Sequence, residues 1–367
     1  MTIIAFIFLI LYILMIFYVM ILINKIPRSE IEKSAFKTPF SIIIPFKNEA
    51  HNLPALLNSL NQLDYDKNFF EIVFINDKST DNGEKIIQKY QSILPIRILK
   101  NQRKSNSPKK DALEWGIQNS KFNYIITTDA DCIIPKKWLE TYNDFILNKH
   151  PKMIAGPVTY TDSKRLFLQF QTLEFLILQA FTQAGFAQKK PFLANGANLC
   201  FEKMAFFEVK GYLGNNHLAS GDDVFLLEKF HKKFHNQILF LKNKNALVKT
   251  KPAEDFHQLI QQKVRWASKI NYNNSKISFF LGLLILIVNL FQIFFIISLV
   301  SIPVLSIIFL FFKFSIDTFF IFKINRFYKN NIDFFKIIFS DFLYPFYLFI
   351  TLANISKGNF EWKDNKY

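Results

Sequence analysis

The sequence predicts an α/β domain with a mostly parallel, Rossmann-like sheet, flanked by transmembrane helices. Three observations predict it. Between about residues 38 and 270, short apolar strands alternate with helical segments, the pattern that lays strands parallel with helices between them. Outside that region lie apolar blocks at 3–23, 279–312 and 334–352, each long enough to reach across a bilayer. Acidic residues fall where strands end, at Asp77 and at Asp129-Ala130-Asp131, the edge at which open α/β sheets bind ligands.

Residues 1–24 read as an N-terminal transmembrane anchor. The unbroken apolar run 3–23 spans ~30 Å as a helix, the thickness of the hydrocarbon core. It ends at Asn24, Lys25, Pro27 and Arg28, without the small residues of a signal-peptide cleavage site, so the chain after Lys25 is expected in the cytoplasm.

Residues 38–270 read as the cytosolic domain. Ser41-Ile42-Ile43-Ile44 is a continuous apolar strand that Pro45 is expected to stop. A helix over 52–63 tolerates Pro54 in its first turn. A second strand, 71–75, runs into Asn76 and Asp77. A helix is expected over 81–91, a strand over 96–99 and a helix over 109–119, before the strand that leads to Asp129. Continuously apolar strands imply a sheet covered on both faces. Beyond Pro151 a long helix rich in Phe, Leu and Gln covers 163–187, as core or along the membrane surface, and an amphipathic helix covers 255–270.

Residues 277–322 read as a transmembrane hairpin, because 279–312 is too long for one crossing and Ser301-Ile302-Pro303 offers a turn. Lys313 and Asp317, four apart, either pair at membrane depth or leave Lys313 reaching for the interface. Lys323, Arg326 and Lys329 mark the following loop as cytoplasmic. Residues 334–355, which contain Lys336, Asp341 and Pro345, form a third C-terminal segment, crossing or interfacial. Residues 356–367 are a tail with Lys357, Lys363 and Lys366.

Half of the 367 residues are hydrophobic and 45 are Phe, too apolar for a purely soluble chain of this charge content. The net charge of +16 suits an anionic membrane face and anionic substrates. No basic helix or aromatic-basic motif points to nucleic acid. Cys132 and Cys200 are expected as reduced, buried thiols.

Five motifs carry candidate chemistry. Two carboxylates at a strand end, Asp129 and Asp131, suit a divalent metal bearing a polyphosphate; a polar strand end followed by a turn is the plain alternative. The loop Phe46-Lys47-Asn48-Glu49 follows the first strand at the same edge, and Asp77, followed by Ser79-Thr80-Asp81, is a second acidic cluster there. Gly196-Ala197-Asn198 is a tight turn or a place where substrate meets backbone. Asp222 and Asp223 begin a helix, and one of a close carboxylate pair can serve as a base. Gln262, Arg265 and Trp266 share a helix face, on which Arg can fork a phosphate and Trp can cover a sugar ring, or the two can anchor the helix at the bilayer.

In this order the motifs, with Ser41 to Pro45 and Asn48-Glu49, resemble glycosyltransferase family 2, and in particular its membrane-anchored branch with ceramide glucosyltransferase and the cellulose, chitin and hyaluronan synthases. Trp362-Lys363 and Tyr367 look like a common tail of such proteins. The resemblance implies a GT-A fold and an inverting enzyme that uses Mg²⁺ or Mn²⁺. It implies that Asp77 meets the uracil and ribose of a UDP-sugar, helped by Phe46 and Glu49. It places Lys109, of a Lys-x-x-Ala-Leu pattern completed by Ala112 and Leu113, near the nucleotide. Asp129 and Asp131 would hold the nucleotide-sugar, with Asp131 the direct metal ligand. Asp223 would be the catalytic base, Arg265 would face the pyrophosphate, and Asn198, Asp222, Gln262 and Trp266 would lie on the acceptor side. Two positions depart from the pattern: Lys47 stands where the family has Tyr, and Asp222 where it has Glu.

The function expected is transfer of a sugar from a nucleotide-sugar to a lipid or lipid-linked glycan at the cytoplasmic face of the inner membrane. A processive polysaccharide synthase is the alternative, and with so few membrane helices it would need a homo-oligomer or an export partner. A non-catalytic nucleotide-sugar-binding membrane component is a further alternative, which the intact acids disfavour. A nucleotidyltransferase would want a Gly-rich phosphate loop, and residues 41–55 contain no glycine.

Overall fold

The computed structural model describes residues 1–29, 34–216, 218, 220–267, 276–356, 361–362 and 365–366. Lys357, Lys363 and Tyr367 of the tail, and the expected helix end at Ile270, lie outside the described residues. The elements in chain order are α1 (Thr2–Lys25), β1 (Phe40–Phe46), α2 (Leu53–Asn61), β2 (Phe70–Asn76), α3 (Gly83–Gln88), β3 (Ile96–Lys100), α4 (Pro108–Gln118) and β4 (Tyr124–Thr127). Then come α5 (Trp138–Lys149), β5 (Met153–Ala155), β6 (Val158–Tyr160), α6 (Leu166–Ala187), β7 (Leu199–Glu202), α7 (Lys203–Glu208), α8 (Asp222–Phe234), β8 (Ile238–Phe240) and β9 (Val248–Thr250). Four further helices follow: α9 (Phe256–Ala267), α10 (Lys276–Ile297), α11 (Pro303–Tyr328) and α12 (Phe334–Ile355). Contacts divide the chain into two compact units.

One unit comprises Ile26–Thr161 and Gly185–Lys251. Its seven-stranded sheet has the order β3-β2-β1-β4-β7-β5-β8. β3, β2, β1 and β4 are parallel, β7 runs antiparallel to both β4 and β5, and β5 and β8 are parallel. The mostly parallel sheet read from the sequence is what forms. β1 and β2 are buried almost throughout, as strands covered on both faces must be. Strand order reverses between β1 and β4, so the crevice at their carboxyl ends is the switch point where such sheets take ligands.

Two local expectations change. Pro45 does not end β1. Its register with β4 covers only Phe40 to Ile43, so the donor that Pro45 lacks falls beyond that ladder. Pairing with β2 continues to Phe46, whose carbonyl accepts from Asp77 N at 2.9 Å. The helix expected over 81–91 is only Gly83–Gln88; ahead of its first turn Asp81 accepts from Ala50 N and from Gly83 N. The strands after β4 are three or four residues long, too short to show a period.

The other unit comprises Met1–Lys25, Asp162–Ala184 and Pro252–Tyr367. Four of its helices, Thr2–Lys25, Phe279–Ile297, Pro303–Tyr328 and Phe334–Ile355, are long and apolar enough to cross a membrane. Large apolar side chains stand exposed along them, among them Ile3, Leu14, Phe311, Phe335 and Phe342, a surface that suits lipid rather than water. The amphipathic α9 belongs to this unit and packs against α12, burying Leu259, Ile260 and Val264. Lys313 does not reach for the interface: it is 2% exposed, 2.8 Å from Asp317 Oδ2, and also in contact with Asp341. Pro345 lies inside α12 and cannot donate to the carbonyl four residues earlier. That carbonyl, on Asp341, accepts instead from Gln292 Nε2 at 3.0 Å.

Candidate active site

The site is assembled by loops at the carboxyl edge of the sheet. After β1 the chain turns through Asn48, in the left-handed region at φ 54°. Asn48 N–H donates to Ser79 Oγ at 3.1 Å, and Asn48 Oδ1 accepts from Thr80 N at 2.9 Å. Asp81 accepts from Ala50 N at 2.7 Å and from Gly83 N at 3.0 Å. The loops after β1 and β2 therefore hold each other, and Glu49 is fixed between them, accepting from Asn52 Nδ2 at 2.6 Å.

Asp77 ends β2 already paired. Arg103 grips its carboxylate at two points, Nε to Oδ1 at 2.7 Å and Nη2 to Oδ2 at 2.9 Å, and Asn101 Nδ2 donates at 2.7 Å. Asn101 also donates to Pro108 O at 2.9 Å, which ties Asp77 to the start of α4. Arg103 and Asn101 were not singled out in the sequence. The signal that could have found them is their place in the loop after the third strand, at the same edge as the acids.

Lys109, in the first turn of α4, is the centre of the site. Its ammonium lies 2.8 Å from Asp129 Oδ1 and 3.2 Å from Asp222 Oδ2. Burial alone would lower its pKa, but Asp129, Asp222 and Asp223 outweigh burial and raise it, so it stays charged. Removing this cation would leave three carboxylates facing one another. Lys109→Met is therefore expected to cost about 3 kcal/mol of stability, read as a lowered melting temperature of the purified protein.

Asp131 sits just past β4, its Oδ2 accepting from Thr250 Oγ1 at 3.1 Å. A backbone bridge between Ile133 and Lys249 fixes the same loop to β9. Burial, then Asp129 and Glu49, push the Asp131 carboxyl up to about 6. This crowding of hard oxygen donors fits a divalent cation. Among the described residues no three His, Cys, Asp or Glu side chains are placed to hold an ion by themselves. The donor set thus fits an ion that completes its shell on phosphate oxygens and water, as Mg²⁺ does in nucleotide sites.

Asp222 and Asp223 open α8 behind Gly221, whose φ of 86° suits glycine. They face the 3-10 turn Gly196–Asn198, capped by Asn195 Oδ1 and tied to β4 through Thr127 Oγ1, which donates to Gly196 O at 2.7 Å. A Cβ on Gly196 would lie 2.9 Å from Asp222 Oδ2, so only glycine leaves that carboxylate its place beside Lys109.

Two predicted ligand contacts prove to be framework residues. The Phe46 ring is 1% exposed and packs edge-on against Phe74, so its side chain cannot line a nucleotide site. Asn198 is fully buried. Its Oδ1 accepts from Trp138 Nε1 at 3.0 Å and Tyr142 OH at 2.8 Å, and its Nδ2 donates to Pro157 O and Ala246 O, both at 2.8 Å. With all four positions used, nothing remains for an acceptor. Asn198→Ala strands these partners and is expected to lower stability by about 3 kcal/mol or more, checked by thermal melting. Cys132 and Cys200 are free and buried, and burial, then neighbouring carboxylates, hold both thiols protonated.

The structure thus brings together Glu49, Lys109, Asp129, Asp131, Asp222 and Asp223, with Asp77 linked through Asn101. Gln262, Arg265 and Trp266 lie on α9 of the other unit, where Trp266 packs near Phe175 and under the Lys263 ammonium, 4.4 Å from the ring centre.

Residues 41–208 match Glycosyl transferase family 2. The chain is 30% identical over 115 residues to the poly(ribitol-phosphate) β-N-acetylglucosaminyltransferase TarS of Staphylococcus aureus, covering 31% of this chain and 20% of the relative. It is 26% identical over 239 residues to the poly-β-1,6-N-acetyl-D-glucosamine synthase of Staphylococcus epidermidis, covering 62% of this chain and 53% of the relative. It spans about half or less of the length of these curated relatives. Among solved structures, the mannosyltransferase PcManGT from Pyrobaculum calidifontis, in complex with GDP-Man and Mn²⁺, superposes with a TM-score of 0.51 at 16% identity, covering 73% of each chain. The sheet is that of a GT-A fold. The match to glycosyltransferase family 2 begins in β1 and runs to α7.

Proposed function

We propose that the protein is an inverting glycosyltransferase that moves a sugar from a nucleotide-sugar to a lipid or lipid-linked glycan at the cytoplasmic face of the membrane. The observation that carries this reading is the bridging of Asp129 and Asp222 by Lys109, beside Asp131, at the switch point of the sheet. Residues 1–24, 277–322 and 334–355 would be membrane-embedded, and the sheet within 38–270 cytosolic. The membrane in question is the inner, cytoplasmic one.

Asp131, with Asp129 beside it, would hold Mg²⁺ or Mn²⁺; when bound, the ion supplies positive charge to a departing diphosphate. Lys109 adds a fixed cation at the same edge and keeps Asp129 and Asp222 in place. Asp77 and Arg103, held as one unit, would meet the base and ribose, with uracil the expected base. Asp223 takes the proton of the acceptor hydroxyl as that oxygen bonds to the anomeric carbon and the carbon–phosphate oxygen bond breaks. Its Oδ1 accepts from Val224 N at 2.8 Å, which orients the carboxylate at the helix N-terminus. Arg265 would face the pyrophosphate, and Gln262 and Trp266 the acceptor.

A second reading, processive polymer synthesis with a homo-oligomer or an export partner, is favoured by the match over 62% of this chain to a relative named as a polysaccharide synthase. Incubating the detergent-purified protein with UDP- and GDP-sugars, Mn²⁺ and lipid acceptors, and reading released nucleotide and product mass, separates the readings. One mass increment supports single transfer, a ladder supports the synthase, and no nucleotide release from any donor contradicts both.

A further inference from the structure

Within the unit that holds the long apolar helices, the indole of Trp266 is held by a chain of contacts. Lys263 stands one turn before it on α9, so the two side chains are neighbours on the helix surface. The Lys263 ammonium lies over the indole, 4.4 Å from the ring centre, a cation on the negative face of an aromatic ring. That lysine is largely out of water, its side chain 10% exposed. A charge so placed needs a partner, and Glu174 of α6 supplies it, Oε2 to Nζ at 2.7 Å. Glu174 accepts in turn from Tyr347 OH of α12, at 3.3 and 3.4 Å. Phe175, the next residue of α6, places its ring centre 6.5 Å from that of Trp266. Three helices, α6, α9 and α12, thus contribute to the setting of one indole.

A lysine stem is flexible, and without a counter-charge it turns its ammonium into water. The Glu174 carboxylate therefore decides where the ammonium rests, and the ammonium covers one face of the indole. A sugar ring that stacks on Trp266 is left the surface that Lys263 does not cover.

We propose that Glu174 is a positioning residue for the acceptor: by holding Lys263 over one face of Trp266, it fixes the ring that an acceptor sugar meets. This role rests on the reading of Trp266 as an acceptor contact. A plain tie between α6 and α9 is the competing account, and the two differ in what they require. A tie needs only opposite charges at 174 and 263, whichever residue carries which. Positioning of the indole needs the positive charge at 263, because the face of the ring repels a carboxylate.

The test uses the full chain in phosphatidylcholine nanodiscs, labelled with 5-fluorotryptophan. The chain has four Trp, and the Trp266 fluorine line is the one lost in Trp266→Phe. Glu174→Gln keeps an acceptor for Tyr347 and removes only the charge. It is expected to move the Trp266 line, as are Lys263→Met and the exchanged pair Glu174→Lys with Lys263→Glu. Lys263→Arg, which keeps a cation over the ring, should return the line to near its parental position. With dodecyl β-glucoside as acceptor and the UDP- or GDP-sugar that the parent uses, the acceptor KM should rise about fivefold in the three variants that move the line. The nucleotide-sugar KM should stay within about twofold. Circular dichroism identifies any variant that has lost its helices, and the remaining variants then decide. An unmoved Trp266 line in Glu174→Gln, a rise in nucleotide-sugar KM alone, or an exchanged pair that restores both the line and the acceptor KM would overturn the proposal. Where the parent itself gives no product, sugar transfer to this acceptor is what fails, and the spectra by themselves decide whether Glu174 sets the indole.

Discussion

Replacing Asp223 by alanine should lower the rate of sugar transfer by about 10²–10⁴-fold, the usual worth of general-base help, while nucleotide-sugar affinity stays within a few-fold of the parent. The assignment to Asp223 rather than Asp222 follows from their surroundings. Asp222 is more buried and pinned 3.2 Å from the Lys109 ammonium, where it balances charge in the space that Gly196 leaves open. Asp223 is the less buried of the two and is oriented by the first turn of α8. Turnover measured beside calorimetric nucleotide binding separates the roles. An Asp223→Ala protein with near-parental turnover removes Asp223 as the base, and one that also loses nucleotide binding makes it a donor contact.

Asp131→Ala should abolish the Mn²⁺-dependent part of nucleotide-sugar binding. Even outer-shell changes cost metal sites about 10–100-fold in affinity, so loss of the direct ligand should exceed that. Asp129→Asn should cost less, because Asp129 already shares its charge with Lys109 at 2.8 Å. Calorimetric titration of UDP and GDP with and without Mn²⁺ reads the difference. Without the ion, the parent and Asp131→Ala should bind equally weakly. Metal-dependent affinity that survives in Asp131→Ala would place the ion elsewhere.

Much of the sheet was legible because β1, β2 and β4 are unbroken apolar runs that end in polar loops, and a helix with a clear start lies between successive strands. The helices long and apolar enough to cross a membrane were legible as apolar blocks. The short strands β5 to β9 were not, because three residues carry no period and their place is fixed by long-range pairing, such as Met153 with both Phe201 and Ile238. Within the site, the acids could be found as strand ends and helix starts. The partners of Asp77 were marked only by their place in the loop after β3; that Arg103 turns back onto Asp77 is set by the fold. Phe46 and Asn198 were misread for one reason: adjacency to a motif says which loop a residue belongs to, not which way its side chain turns. The bond from Gln292 to the carbonyl that Pro345 leaves unpaired likewise required the packing of α10 against α12.

The most direct measurement is the position of Mn²⁺, from its anomalous scattering, in crystals of the protein grown with Mn²⁺ and a nucleoside diphosphate. The ion is expected to be bonded to a carboxylate oxygen of Asp131 and to the diphosphate, with Lys109 and Asp223 facing the same space. An ion and nucleotide bound away from Asp131, with that carboxylate still held by Thr250 and Cys132, would contradict the assignment of this crevice as the donor site.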